Sequence, residues 1–265
     1  MHQSYKRKMA KRMKYDNWHI SFYKQSFAHK LTYTSTDKAD EMVKFMKEAL
    51  KRSKDIEFSG DLKIYDQCCG NGSFVFAVDN LGLENKIVGV DMAESIIALA
   101  NSSTNNKNLK FYCADVCKYV EPKAFDICTC WHTSCCYSMD DTINLLQFKK
   151  MSECLKPGGL FIIDTINPEF VRANFIQKKA EILDDDTIIA RWYTLEENDL
   201  SSKWTIYNKN GTNDTFYGHT RIYSVEDLTK MLYSVGLHVI DIVGNYEFDP
   251  INNNLGRMIL YGVKE

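Results

Sequence analysis

Three acids and two glycines carry the chemistry that can be read first in this chain. The run Ile64-Tyr-Asp66-Gln-Cys68-Cys-Gly70-Asn-Gly72 starts as an apolar strand, passes an acid and ends in two glycines. Behind it Phe74, Ala77, Val78 and Leu81 keep helical spacing. Gly70 and Gly72 supply backbone freedom and let a ligand approach without meeting a Cβ, so a nucleotide is expected across this turn. Asp91 ends a second strand-like run, Lys86 to Asp91, 19 positions after Gly72, and a carboxylate there can accept both ribose hydroxyls. Asp115 ends a third such run. The Gly-x-Gly spacing also opens the dinucleotide fingerprint of dehydrogenases, which wants a third glycine where this chain has Val75.

An ordered series of elements must hold these groups. A fourth strand is expected over Phe125 to Cys130, and a Lys-Pro-Gly-Gly turn leads into a fifth that ends at Asp164. Ahead of them Ala39, Met42, Val43, Met46, Ala49 and Leu50 mark one face of a helix from about Thr36 to Arg52. After the fifth strand, consecutive strand-like runs around Asn210-Gly211, a strong hairpin signal, replace the helix-strand alternation. A capped helix from Ser224 and strands over Leu237 to Val243 and Arg257 to Val263 close the chain.

From Ile64 to the C-terminus these residues resemble the class I methyltransferases that use S-adenosylmethionine. Asp66 to Gly72 looks like their glycine-rich first motif, Asp91 like the ribose acid, Asp115-Val116 like the adenine-edge pair, and Lys156-Pro-Gly-Gly159 like the turn before strand five. Within that group the chain is most similar to bacterial small-molecule methyltransferases with an aromatic-Thr-Ser segment after strand four, here Trp131-His132-Thr-Ser-Cys-Cys136-Tyr137. Many relatives have glycine where Cys136 stands.

The resemblance implies a Rossmann-like α/β fold. Its seven-stranded sheet has the last strand antiparallel and helices on both faces, with an N-terminal helical lid and an antiparallel β insertion after strand five. Residues 1–54 would be a basic tail and lid, and residues 55–265 one methyltransferase domain with a roof over residues 180–223. It also implies S-adenosylmethionine as cofactor, S-adenosylhomocysteine as product and a small-molecule methyl acceptor as partner. Cofactor contacts are expected from Tyr33, Asp66, Cys68, Gly70, Gly72, Asp91, Met92, Asp115, Val116 and Trp131. His132 and Tyr137 are the candidate bases or orienters, and Tyr23, Asp164, Asn167, His219 and Arg221 the candidate acceptor contacts. Methyl transfer is an in-line displacement that asks mainly for alignment and exclusion of water, with an amine as the first acceptor and hydroxyl or carbon open.

Composition sets the outer limits. At 265 residues, 45% hydrophobic and net charge −2, the chain can bury one substantial α/β core. No apolar stretch approaches the roughly 20 residues needed to span a bilayer, and Met1 to Lys8 lacks the apolar core of a signal peptide, so a cytoplasmic address is expected. The nine cysteines include no Cys-x-x-Cys pair and read as small buried hydrophobes, with no metal. Six lysines or arginines among residues 1–14 read as a solvated tail rather than a nucleic-acid contact. A nucleic-acid methyltransferase is the second reading, disfavoured because no Asn/Asp-Pro-Pro-aromatic segment follows strand four. An NAD-dependent oxidoreductase is the third.

Overall fold

The structure, a computed structural model, describes Trp18 and residues 36–183 and 186–265. Tyr23, Tyr33 and the basic tail therefore lie outside the described residues. Strands β1 (Lys63–Gln67), β2 (Lys86–Asp91), β3 (Leu109–Cys113), β4 (Phe125–Cys130), β5 (Leu155–Ile166), β10 (Leu237–Val243) and β11 (Arg257–Lys264) form one seven-stranded sheet. Its order is β10-β11-β5-β4-β1-β2-β3, and β11 runs antiparallel to both of its neighbours. This is the sheet that the resemblance implied. Parallel strands between two layers of helices read as near-continuous apolar runs, and β4 and β5 are such strands.

Successive residues feed opposite layers. Ile64, Ile127 and Leu160 join a core with helices α1 (Thr36–Lys54) and α2 (Ser73–Asp79), while Tyr65, Cys128 and Phe161 join a core under α4 (Asp141–Cys154) and α6 (Val225–Tyr233). Between them in sequence lie the short α3 (Glu94–Ser102) and α5 (Pro168–Ala173). The apolar stripe expected on α1 is buried, and its Phe45 stacks on Phe248 at 4.3 Å, so this helix is built into the core.

The insertion after strand five is a separate four-stranded antiparallel sheet, β6 (Lys178–Ile182), β7 (Ile188–Glu196), β8 (Asp199–Tyr207) and β9 (Asn213–Arg221). Gly211, at φ 82°, makes the turn between β8 and β9. Pairing begins two residues before the expected start of the insertion, because Lys178-Lys-Ala-Glu-Ile182 forms an outer strand that its charges had concealed. Lysine-rich edges of this kind discourage pairing with other chains.

Candidate active site

The glycine turn stands at the carboxyl end of β1. Gly72 has φ 82°, and a Cβ there would lie 2.8 Å from the Phe111 ring, so the position admits only glycine. Gly70 has φ 54° and no heavy atom within 4 Å of where a Cβ would be, an open face along which a ligand can approach. The Asp91 carboxylate accepts from Gly70 N at 3.0 Å and Ala93 N at 2.9 Å, which fixes it beside the turn with lone pairs to spare. Burial pushes its carboxyl up, against the pull of those two N–H groups. Asp115 accepts from Cys117 N at 2.9 Å at the end of β3. This open face, flanked by acids on adjacent strand ends, fits a nucleoside with an amino-acid tail.

Asp66 is buried behind the turn and accepts from the Thr129 hydroxyl at 2.7 Å. Burial, with a smaller push from Asp91, moves its carboxyl up to about 8. The folded protein therefore holds a proton on Asp66 that the unfolded chain releases near pH 4, and stability falls as pH rises through that window. We expect the urea-unfolding free energy of wild type to decline relative to Asp66→Asn between about pH 5 and pH 8, by at most about 1.4 kcal/mol per pH unit. Parallel pH profiles would refute this assignment of the proton.

The loop after β4 is wound tightly. His132, Thr133 and Cys136 have φ of 56°, 59° and 64°, so the position where relatives have glycine is left-handed here although it carries a cysteine. The loop is held by Asp164, which is buried in β5. Its Oδ2 accepts from His132 N at 3.0 Å, the Tyr246 hydroxyl at 2.8 Å and Arg257 Nη1 at 2.5 Å. Burial opposes the Arg257 charge, yet Asp164 and Tyr246 outweigh it and hold the guanidinium firmly protonated. Arg257 Nη2 lies 3.3 Å from His132 Nδ1. A guanidinium only donates, so Nδ1 is the acceptor and Nε2 carries the proton. Burial lowers the His132 pKa in agreement. His132 is thus a neutral hydrogen-bond donor, which of its two expected roles, base or orienter, suits the orienter.

Other expected contacts have structural partners. Asn167 caps α5 by accepting from Glu169 N at 3.0 Å and donates to the carbonyls of Asn252 and Leu255 at 2.7 and 2.8 Å. Trp131 is buried among the rings of Phe45, Phe74 and Tyr246. His219 and Arg221, expected to face the acceptor, instead clamp the roof to the loop. His219 lies 3.0 Å from the Tyr137 carbonyl and 2.8 Å from Asp199, and Arg221 bridges Asp199 at 3.0 Å and Asp141 at 3.2 Å. The Arg221 backbone N–H adds a bond to the Cys136 carbonyl at 2.7 Å. Trp18 completes this junction, donating to the His219 carbonyl at 3.1 Å with its ring 5.0 Å from that of Tyr137. Spacing showed that His219 and Arg221 share a face, but not which way the face looked. His219→Ala is expected to lower stability by about 2–4 kcal/mol and to speed amide hydrogen exchange at Tyr137 and Arg221 before the main sheet. Uniform exchange across both sheets would count against a local clamp.

Sequence reasoning missed Tyr246 and Arg257, and neither belongs to a motif. All nine cysteines are free thiols, and among the described residues no cluster of histidine, cysteine, aspartate or glutamate has the arrangement of a metal site. No described helix is long and apolar enough to cross a membrane.

Residues 58–212 match the model of the family described as "Methyltransferase domain". The chain belongs to that family. Among curated proteins it is 29% identical over 142 residues to the demethylmenaquinone methyltransferase of Lactococcus lactis, covering 50% of this chain and 54% of that protein. The chain thus spans between about a third and just over half of the length of the curated relatives it first matches. Its fold is that of an S-adenosylmethionine-dependent methyltransferase from Clostridium acetobutylicum, with TM-score 0.71, 21% identity, and 88% of this chain and 92% of that one covered. It is similar too to an amino pentose methyltransferase from Micromonospora echinaspora solved with S-adenosylmethionine bound, at TM-score 0.64, 16% identity, and 90% and 95% covered. These matches bear out the expected family and fold.

Proposed function

We propose that this protein moves a methyl group from S-adenosylmethionine to a nucleophilic atom of a small molecule. The observation that carries the reading is the open glycine turn with Asp91 fixed beside it, in a chain of this family. Bound there, the donor would supply an electrophilic methyl group. Asp91 would hold the ribose hydroxyls and Asp115 and the Val116 N–H the adenine edge, while Asp66, behind the turn, would orient it or reach the amino-acid end through water. Gly70 leaves room for the backbone of the turn to meet the ligand, Gly72 lets the turn pack against Phe111 behind it, and Cys68 and Met92 would border the ligand. Trp131 and His132 open the loop that would wall the acceptor side, and the clamped roof would exclude water from it. A small acceptor is supported by the roof and by relatives named for a demethylmenaquinone and an amino pentose.

The test is calorimetric titration with S-adenosylmethionine, S-adenosylhomocysteine and NAD, followed by a screen of amines, alcohols and phenols for release of S-adenosylhomocysteine. Micromolar binding of the first two and acceptor-dependent release support the reading. Preference for NAD would sink it.

A further inference from the structure

The cluster around Asp164 is incomplete in a particular way. Trp131 Nε1, His132 Nε2 and Asp164 Oδ1 are buried and have no hydrogen-bond partner among the described residues. Trp131 is 4% exposed and Asp164 is fully buried. Buried polar groups are nearly always paired, so three orphans on one cluster mark a place meant for something else. The three belong together: Asp164 Oδ2 accepts from the His132 backbone N–H, and Tyr246 touches both the Asp164 carboxylate and the Trp131 ring.

Their chemistry is specific. The tautomer that Arg257 imposes makes His132 Nε2 a donor, the indole N–H is a donor, and the carboxylate oxygen is an acceptor. The cluster carries no net charge, because Asp164 is paired with Arg257 and His132 is neutral. The charges α1 brings into range, Lys38 and Glu41, are of opposite sign. A cation would meet the Arg257 guanidinium and an anion the Asp164 carboxylate, each against a neutral background. A hydroxyl, by contrast, donates one bond and accepts others, so it can answer a donor and the acceptor at once.

Resting on the methyltransferase reading, we propose that Trp131, His132 and Asp164 form a polar subsite for an uncharged, hydroxyl-bearing part of the methyl acceptor. The aromatic rings of Phe45, Trp131 and Tyr246 beside it suit a ring as the carrier of that hydroxyl.

The protein saturated with S-adenosylhomocysteine should be titrated with three probes of similar size: catechol, benzylamine and benzoate. Catechol is expected to bind at least about tenfold more tightly than either charged ring, an effect of one to two hydrogen bonds. Trp131→Phe and His132→Leu, two variants that remove one donor each, should each weaken catechol about tenfold and leave the charged probes unchanged. A charged probe binding as well as catechol, no detectable catechol binding, or variants with wild-type catechol affinity would overturn the proposal. Failure to bind S-adenosylhomocysteine is a separate result that removes the methyltransferase reading, and the probe titrations can then be run on the protein alone.

Discussion

Asp91→Ala should weaken binding of S-adenosylhomocysteine at least about a hundredfold. A ribose diol donating two bonds to a carboxylate draws about 1.5–3 kcal/mol from each, and both are lost with the side chain. The same carboxylate accepts from Gly70 N and Ala93 N, so the alanine variant also releases the open face of the turn. Asp91→Asn separates the two roles. Its amide oxygen can still accept one N–H, which keeps the turn in place, while the charge-assisted bonds to the ribose are weakened. An intermediate loss of about tenfold is therefore expected for asparagine, with a smaller fall in stability than for alanine. Calorimetry gives the affinities and urea unfolding the stabilities. An alanine variant that binds within threefold of wild type would mean that the β2 carboxylate orders the turn and does not hold the ligand.

The glycine turn and the acids beside it were legible because their parts are local. A strand, an acid and two glycines lie within nine residues, and the acids of β2 and β3 stand at the ends of apolar runs whose period announces them. The seven-stranded sheet with its antiparallel last strand was implied by the resemblance, and its strand order is given by the structure. The cluster around Asp164 was not legible, because its contacts join distant parts of the chain. Asp164 meets Tyr246 across 82 positions and Arg257 across 93, and nothing in either residue's neighbourhood announces the pairing. His132 was identified as a functional candidate, yet its chemistry is set by Arg257, so the sequence alone could not assign its proton. The roof shows the same limit. Alternation places His219 and Arg221 on one face of β9, but only the three-dimensional junction with Asp199 and the Cys136–Tyr137 backbone reveals that this face grips the loop. Likewise β6 was hidden because an edge strand need not alternate apolar and polar residues.

Arg257→Met should cost about 3–5 kcal/mol of stability, among the largest effects of any single change in the described core. The reason is what remains behind. Among the described residues, buried Asp164 would keep only Tyr246 and the His132 N–H on its Oδ2, and its Oδ1 has no partner to offset the loss. An uncompensated carboxylate in that position is far more costly than the ion pair is favourable, because most of the pair's Coulomb energy repays desolvation. The double variant Arg257→Met with Asp164→Asn should therefore recover part of the loss, giving a favourable coupling of about 1–3 kcal/mol in a mutant cycle. The cycle also bears on the acceptor loop. Asp164→Asn alone retains an oxygen for Tyr246 and the His132 N–H but no charge for Arg257, whose half-buried guanidinium then lacks its counter-ion. If both single variants are strongly destabilised and the double variant is not, the pair is a balanced unit that sets the His132 proton. If Arg257→Met unfolds within about 1 kcal/mol of wild type, Asp164 is better solvated than its burial implies. The neutrality on which acceptor recognition was argued would then fall with it.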